Sequence, residues 1–455
     1  MKIFKASFKY IFIFTFTLFV LVVFGIYANN WDSLWNYGFS YSIAKGQIPY
    51  NDFTMIVQPL YNYIMSIGLI LVSHNNIVFL LEQAILVSIN FYFLYKVFDY
   101  KVWLIIVVMC FPMFIAFSPT YNYFIFFLFT IVLYLEHKNK NDYLIGFILG
   151  LIILTKAVVG IFFVIPTLIY YFNDKKKIFK RFIGLIIPCI VFIIYLLCNN
   201  SIKNFINLCI LGIFDFGKNN TDIMNWQFII SIIMFIISII FTIKQRNKIL
   251  NYYIMCSFII ILPNCSDYHY YLYIVFFSLL LISQDIKINK KITLIFSFIM
   301  IGLITLFHLN QIISFRDRKL KVEVYKEINN FNYYINYKNT KHNLINTNKL
   351  YNELKVKGQV HLISYTGDLF LKIINEEKTD YFTILNKGNY GYNGTNNMKK
   401  RVKNMKNTYF IINKDNYYYS KTKQDGQFDY DLVKFIMDSS KKIDNKYGYD
   451  IYYKE

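Results

Sequence analysis

The chain has 455 residues, of which 56% are hydrophobic and 20% aromatic, and it carries a formal net charge of +21. This is too apolar for one water-soluble core to absorb, so the surplus is expected to face lipid. Lys and Arg are sparse inside the apolar runs and gather in short loops and the last third, a pattern of basic inner loops plus a soluble tail that weighs against a nucleic-acid partner.

Lys2, Lys5 and Lys9 precede an apolar run over 10–28 with no convincing small-residue cleavage site, which predicts a retained signal anchor and a cytoplasmic N-terminus. Further apolar segments follow at 57–73, 78–97, 101–117, 120–135, 143–156, 157–172, 181–198, 226–243, 249–264, 270–284 and 291–309. The basic loops HKNKND (137–142), DKKKIFKR (174–181), KQRNK (244–248) and DIKINKK (285–291) all belong on the cytoplasmic side by the positive-inside rule. That assignment places the loop 29–56, the Thr155-Lys156 turn, the loop 199–225, the turn 263–269 and the chain after 314 on the outer face. It also requires an odd number of crossings, which is met if 57–73, opening on Val57-Gln58-Pro59, dips into or lies along the outer leaflet. A missed or split crossing elsewhere is the alternative.

The six cysteines, Cys110, Cys189, Cys198, Cys209, Cys256 and Cys265, sit in or beside apolar stretches without CxxC spacing, and read as packing residues. After about Ser314 the sequence becomes charged and Asn-rich. There, 358–364, 379–385, 408–414 and 447–453 have strand character, while 317–330, 397–406 and 429–444 have helical spacing. The expected fold class is therefore a membrane all-α domain over 1–314, with about 11–12 membrane-embedded helices, followed by a small extracytoplasmic α/β domain over 315–455.

The most informative stretch is the first outer loop, NNWDSLWNYGFSYSIAKGQIPYNDFTMIVQPLYNYI from residue 29. It has Asp32 at the exit of the first apolar run, a helical spacing through Tyr37, Tyr41 and Ala44, then Gly46, Pro49-Tyr50, Asp52 and Pro59-Leu60-Tyr61. This arrangement resembles the first periplasmic loop of the GT-C superfamily of lipid-linked-sugar glycosyltransferases, whose members share an aspartate here. YLIGFILGLIILTKAVVG (143–160) is similar to the Gly-rich helix ending in Thr-Lys of bacterial GT-C members related to protein O-mannosyltransferases and the aminoarabinose transferase. Asn264-Cys265-Ser266-Asp267-Tyr268-His269-Tyr270 is similar to their late outer loop, with the Arg often found there missing.

The resemblance implies a transferase of the bacterial cytoplasmic membrane that takes a sugar from a polyprenyl-phosphate donor with inversion and adds it to a cell-envelope acceptor, such as a polysaccharide, lipid or protein. The chemistry needs a base for the acceptor hydroxyl and cationic or dipolar groups for the departing phosphate. Asp32, partly desolvated between Trp31 and Trp35, suits the first role. Lys156 or His269 suits the second, Asp267 would join them in holding donor or acceptor, and Asp52, Trp31 and Trp35 are further candidates for substrate contact. Each residue also has a plainer reading. Asp32 can be a helix cap and Asp52 an Asx-turn residue. Lys156 can be a snorkelling lysine, although its outer-face position runs against the cytoplasmic preference of Lys. Asp267 and His269 can belong to an ordinary interfacial turn.

No Walker sequence, GxGxxG, HExxH or GxSxG occurs, so nucleotide-driven transport, dinucleotide chemistry, zinc hydrolysis and α/β-hydrolase chemistry lack an anchor. No cofactor and no obligatory metal are expected. An O-antigen polymerase or ligase would be expected to use Arg-rich outer loops, and 199–225 contains no Arg. A transporter of lipid-linked oligosaccharide would be expected to show repeated halves and broken, charged helices at mid-depth, and neither pattern is evident.

Overall fold

A computed structural model describes residues 11, 14–15, 17–18, 31–97, 120–139, 141–220, 226–246, 248–261, 343–364, 367–413 and 429–455. The expected segments at 101–117, 270–284, 291–309 and 317–330 lie outside the described residues, as do most of 10–28 and the turn 263–269. The chain falls into two compact units, one drawn from Met1–Ser33, Phe79–Ile194 and Asp222–Arg318, the other from Leu34–Val78, Tyr195–Thr221 and Lys319–Glu455.

The helices are α1 (Trp31–Ala44), α2 (Leu60–Leu71), α3 (Asn76–Val97), α4 (Tyr121–His137), α5 (Asp142–Ile153), α6 (Ala157–Tyr170), α7 (Lys175–Cys198) and α8 (Ile202–Phe205), followed by a π-helical turn over Ile206–Leu211. Next come α9 (Gly212–Asn220), α10 (Trp226–Lys244) and α11 (Ile249–Ile261). By length and composition α3 and α7 are able to cross a membrane. α2, expected to be a membrane dip, has 12 residues and is about 18 Å long, short of the ~30 Å hydrocarbon thickness. α5 and α6 are also shorter than expected, at 12 and 14 residues.

In the first unit the chain reverses between α5 and α6. A Cβ on Gly160 would stand 2.6 Å from the Ile153 Cα, a contact that residues seven apart cannot make along one straight helix. Glycine also lets α5 and α7 approach backbone to backbone. A Cβ at Gly146 would lie 1.9 Å from the Arg181 carbonyl oxygen, and one at Gly184 would lie 2.0 Å from that of Tyr143. Small residues at a contact are the usual means of close helix packing where no water is available to drive it.

At one end of this unit Arg181 is buried among carboxylates. Its Nη1 and Nη2 donate to Glu136 at 2.6 and 3.0 Å, and its Nε donates to Asp142 at 2.9 Å. The Tyr171 ring lies 4.4 Å beneath the guanidinium, and Tyr253 donates to Glu136 at 3.2 Å. This network fastens α4, α5, α7, α11 and the end of α6. Lys156, in the α5–α6 turn, instead reaches Asn122 in the first turn of α4. Asn122 and Glu136 are fourteen residues apart on α4, about 21 Å along its axis, so Lys156 and the Arg181 network occupy opposite ends of the unit.

In the second unit the C-terminal portion comprises α12 (Asn343–Lys355), β1 (Gln359–Ile363), α13 (Leu369–Ile374), α14 (Gly394–Asn404), β2 (Thr408–Asn413), α15 (Tyr430–Asp438), β3 (Lys441–Lys446) and β4 (Tyr449–Lys454). The sheet order is β1-β2-β4-β3, with β1 and β2 parallel and the other pairs antiparallel. Three of the four expected strands are present. The segment 379–385 instead runs as turns, in which the Asp380 side chain accepts from the Phe382 amide at 2.7 Å. The helix expected over 429–444 stops at Asp438, and β3 follows, closing on β4 through Tyr447-Gly448 with φ of 56° and 84°. Two successive positive φ values are the signature of a tight hairpin turn matched to strand twist. The core beneath the sheet unites Ile363, Phe382, Met398, Val402, Phe410, Ile412, Leu432 and Ile436.

Candidate functional site

Asp32 lies half-buried in the first turn of α1, where the positive end of the helix dipole favours a carboxylate. Trp31 opens the same helix. Trp35, one turn on, is half-buried, and its indole N–H has no acceptor among the described residues. Lys156 occupies the N-cap position of α6, with Nζ 3.4 Å from Asn122 Oδ1 and 5.3 Å from the centre of the Tyr121 ring. Asp52 is exposed, and its Oδ2 accepts from the Ile48 amide, four residues earlier in the loop, at 2.7 Å. Asp267 and His269 lie outside the described residues. Asp32, Trp31 and Lys156 belong to the first unit, and Trp35 and Asp52 to the second.

The second unit joins three stretches that the sequence assigns to one face. After α1 the loop 45–59 packs on the C-terminal portion. Gln47 Nε2 donates to the Thr379 carbonyl at 2.8 Å, and Gln47 Oε1 accepts from the Thr379 amide at 2.9 Å. The Ser42 and Thr379 hydroxyls lie 2.6 Å apart, and the Tyr381 hydroxyl donates to the Asn51 carbonyl. Gly38 leaves room for Leu369, which a Cβ would meet at 2.6 Å. From 195–221, Asn204 donates to Asn51 Oδ1 at 2.8 Å, the Asn207 carbonyl accepts from the Tyr392 amide at 3.0 Å, and Asp215 accepts from the Asn393 amide at 2.7 Å.

Within the loop, Tyr50 is fully buried with φ of 73°, a left-handed conformation costly for an aromatic residue. Its surroundings hold it there, because its hydroxyl donates to the Val57 carbonyl at 3.0 Å and its ring meets Phe205 edge-on at 5.3 Å. Removing Gln47 should loosen this loop without unfolding the unit. For Gln47→Ala, which strands the buried Thr379 groups at about 1–3 kcal/mol, amide exchange over 45–57 is expected to quicken by about 5–150-fold while exchange in β2 stays unchanged. Equal rates in wild type and variant would show that this pair does not fasten the loop.

Two of the clefts on this unit are lined by the C-terminal portion. The larger, of about 720 Å³, is lined by Tyr351, Lys355, His361, Lys372, Glu377, Asp380, Tyr381 and Arg401 among others. The smaller, of about 380 Å³, is lined by Tyr50, Lys203, Asn204, Asn207, Tyr390, Asn397 and again Tyr381 and Arg401. The Arg401 guanidinium lies 3.4 Å from the centre of the Tyr381 ring, so this stacked pair borders both clefts. Amides, phenolic rings and two cations equip the smaller cleft for a polyhydroxylated or anionic ligand.

Beside the larger cleft, His361 Nδ1 lies 2.9 Å from Asp368 Oδ2 and 3.7 Å from Asp380 Oδ2, and the imidazole stacks on Phe382 at 4.2 Å. Asp368 is completely buried. Burial, reinforced by Asp380, raises its carboxyl above the usual range. Lys372 stands 3.6 Å from Asp380 and 3.7 Å from Glu377. Burial alone would lower its ammonium, but Asp368 and Asp380 override that and raise it. The sequence reading missed this cluster, Gln47, Tyr381 and Arg401. Its three acid–base members are spaced seven and twelve residues apart in no motif, and only the fold brings them together.

No family model and no curated protein matches the chain. Two solved structures do: ArnT from Cupriavidus metallidurans bound to undecaprenyl phosphate, at 9% identity and a TM-score of 0.55 over 99% of this chain and 98% of that one, and the same protein in the apo state, at 9% identity and a TM-score of 0.51 over 98% of each. The chain therefore shares the fold of ArnT along nearly its whole length, including the C-terminal portion.

Proposed function

We propose that this chain is an integral membrane glycosyltransferase of the GT-C type. It takes a sugar from a polyprenyl-phosphate donor at the outer face of a bacterial cytoplasmic membrane and transfers it to a polysaccharide, lipid or protein of the cell envelope. The observation that carries this reading is the full-length fold likeness to ArnT, one of whose structures holds undecaprenyl phosphate. The internal geometry supports the required sidedness. Lys156 and the Arg181 network, which borders two basic loops, lie at opposite ends of α4. The loop after α1, residues 195–221 and the C-terminal portion pack together in one unit.

In this reading Asp32 takes the proton from the acceptor hydroxyl as its oxygen attacks the anomeric carbon from the face opposite the phosphate. The anomeric C–O bond breaks, its electron pair leaves on the polyprenyl phosphate, and the anomeric configuration inverts. Lys156 offsets the charge on the departing phosphate, with His269 and Asp267 from the late outer loop holding donor or acceptor. Asp52, Trp31 and Trp35 line the approach. The C-terminal portion covers the site or binds the acceptor.

The test uses the full chain in vesicles, supplied with undecaprenyl-phosphate-linked sugars and extracted envelope glycans, lipids and proteins. Release of free undecaprenyl phosphate coupled to labelling of an acceptor is expected. Movement of intact donor across the vesicle membrane without cleavage would replace the transferase with a transporter.

A further inference from the structure

We infer that the C-terminal portion holds a divalent transition-metal ion, of the zinc or manganese class, on His361, Asp368 and Asp380. Three elements converge to make the site: β1 supplies His361, the N-cap position of α13 supplies Asp368, and the turn before Phe382 supplies Asp380. One ligand atom from each lies within 4.8 Å of the others.

The distances suit an ion. Ligands about 2.0–2.2 Å from a tetrahedral zinc stand about 3.4 Å from one another, and the two separations from His361 Nδ1, 2.9 and 3.7 Å, bracket that value. One imidazole with two carboxylates is a donor set suited to zinc or manganese and poor for a soft thiophilic ion.

Asp368 provides an independent sign. Its position at the head of α13 would let it cap the helix, yet its side chain makes no capping bond. It is fully buried, and Oδ1 has no hydrogen-bond partner among the described residues. A buried carboxylate oxygen without a donor is costly, and an ion bound between the three side chains would satisfy it. His361 Nδ1 and Asp368 Oδ2 lie within hydrogen-bond distance of each other. An ion bound between the three side chains would take the place of that contact.

Lys372 is not an obstacle. At 3.6 Å from Asp380 and 3.7 Å from Glu377 it is beyond hydrogen-bond reach of both, so it tempers the negative field without filling the ligand directions. Asp380, with its side chain 30% exposed, faces the large cleft. The fourth coordination position therefore opens towards that cleft, where water or an anionic oxygen of a bound ligand would complete the shell.

The test is a titration of chelator-stripped, full-length protein in detergent with zinc chloride, against a competing chromophoric chelator. One saturable equivalent is expected in wild type. Asp380→Asn, at the partly exposed ligand and so least damaging to folding, should weaken binding at least about tenfold. Lys372→Met, which removes a nearby positive charge, should tighten it roughly tenfold. Asp444→Asn, on the exposed strand β3, should bind as wild type does. Absence of a saturable equivalent in wild type, equal affinity in Asp380→Asn, or unchanged or weakened binding in Lys372→Met would overturn the site and leave the buried pair as a fastener of the fold.

Discussion

Asp32→Asn is expected to lower sugar transfer by about 10²–10⁴-fold, the span a positioned general base commonly contributes, while leaving membrane abundance and donor affinity within about twofold. The amide keeps the shape of the side chain and its place in the first turn of α1 but cannot accept the acceptor's proton. The Asp32→Asn and Asp32→Ala variants together separate chemistry from capping. Losing an N-terminal helix cap costs about 0.5–2 kcal/mol, which would lower the melting temperature along with the rate. A base lost in place would lower kcat alone. Full transfer by Asp32→Asn would remove this residue from the mechanism whatever its effect on stability.

Arg181→Met should destabilise the first unit by about 3–5 kcal/mol, which corresponds to a fall in melting temperature of roughly 6–20 °C. The reason is the carboxylates that remain. Glu136 and Asp142, 7% and 16% exposed, would lose the one guanidinium that bridges them. The ion pair is not itself a large source of stability, because desolvating three charges offsets most of their attraction. Replacing all three together, as in Arg181→Met with Glu136→Leu and Asp142→Leu, should therefore recover a good part of the loss. Thermal unfolding of the detergent-solubilised protein measures both. A melting temperature within about 2 °C of wild type for the single variant would contradict the burial of this network.

Hydrophobic periodicity located the apolar segments that the structure describes as α2 to α7, α10 and α11, and the reversal at Thr155-Lys156 lies where the apolar run pauses on a lysine. Helix lengths were harder to read. α5 and α6 are shorter than the apolar stretches that contain them, because apolar composition continues through the turn between them. In the C-terminal portion, β1, β2 and β4 have apolar alternation and were legible. β3 was not, since its residues Lys441 to Lys446 are almost all polar and exposed; it forms as the outer partner of β4 and exposes lysines along an edge that must resist further pairing. Residues 379–385 have strand-like composition, but the Asp380 side chain diverts the backbone into a turn.

The candidate site divided in the same way. Asp32 stood out through the resemblance of its loop to the first outer loop of GT-C transferases, and Lys156 through a lysine between two apolar runs at the expected outer face. His361, Asp368 and Asp380 form no motif in the sequence, and Gln47 and Thr379 are 332 residues apart. No local pattern can announce partners at such a separation.

That separation has a consequence for biogenesis. When the loop bearing Tyr50 leaves the ribosome, the threonine that fastens it has not been synthesised, and at 5–20 residues per second the wait is roughly 17–66 s. During that interval the loop goes without its hydrogen bonds to Thr379, although the contacts of Tyr50 with Val57 and then Phe205 can already form. Slowing elongation, or deleting residues from 379 onward, should therefore leave the nascent loop open to protease and to chaperones.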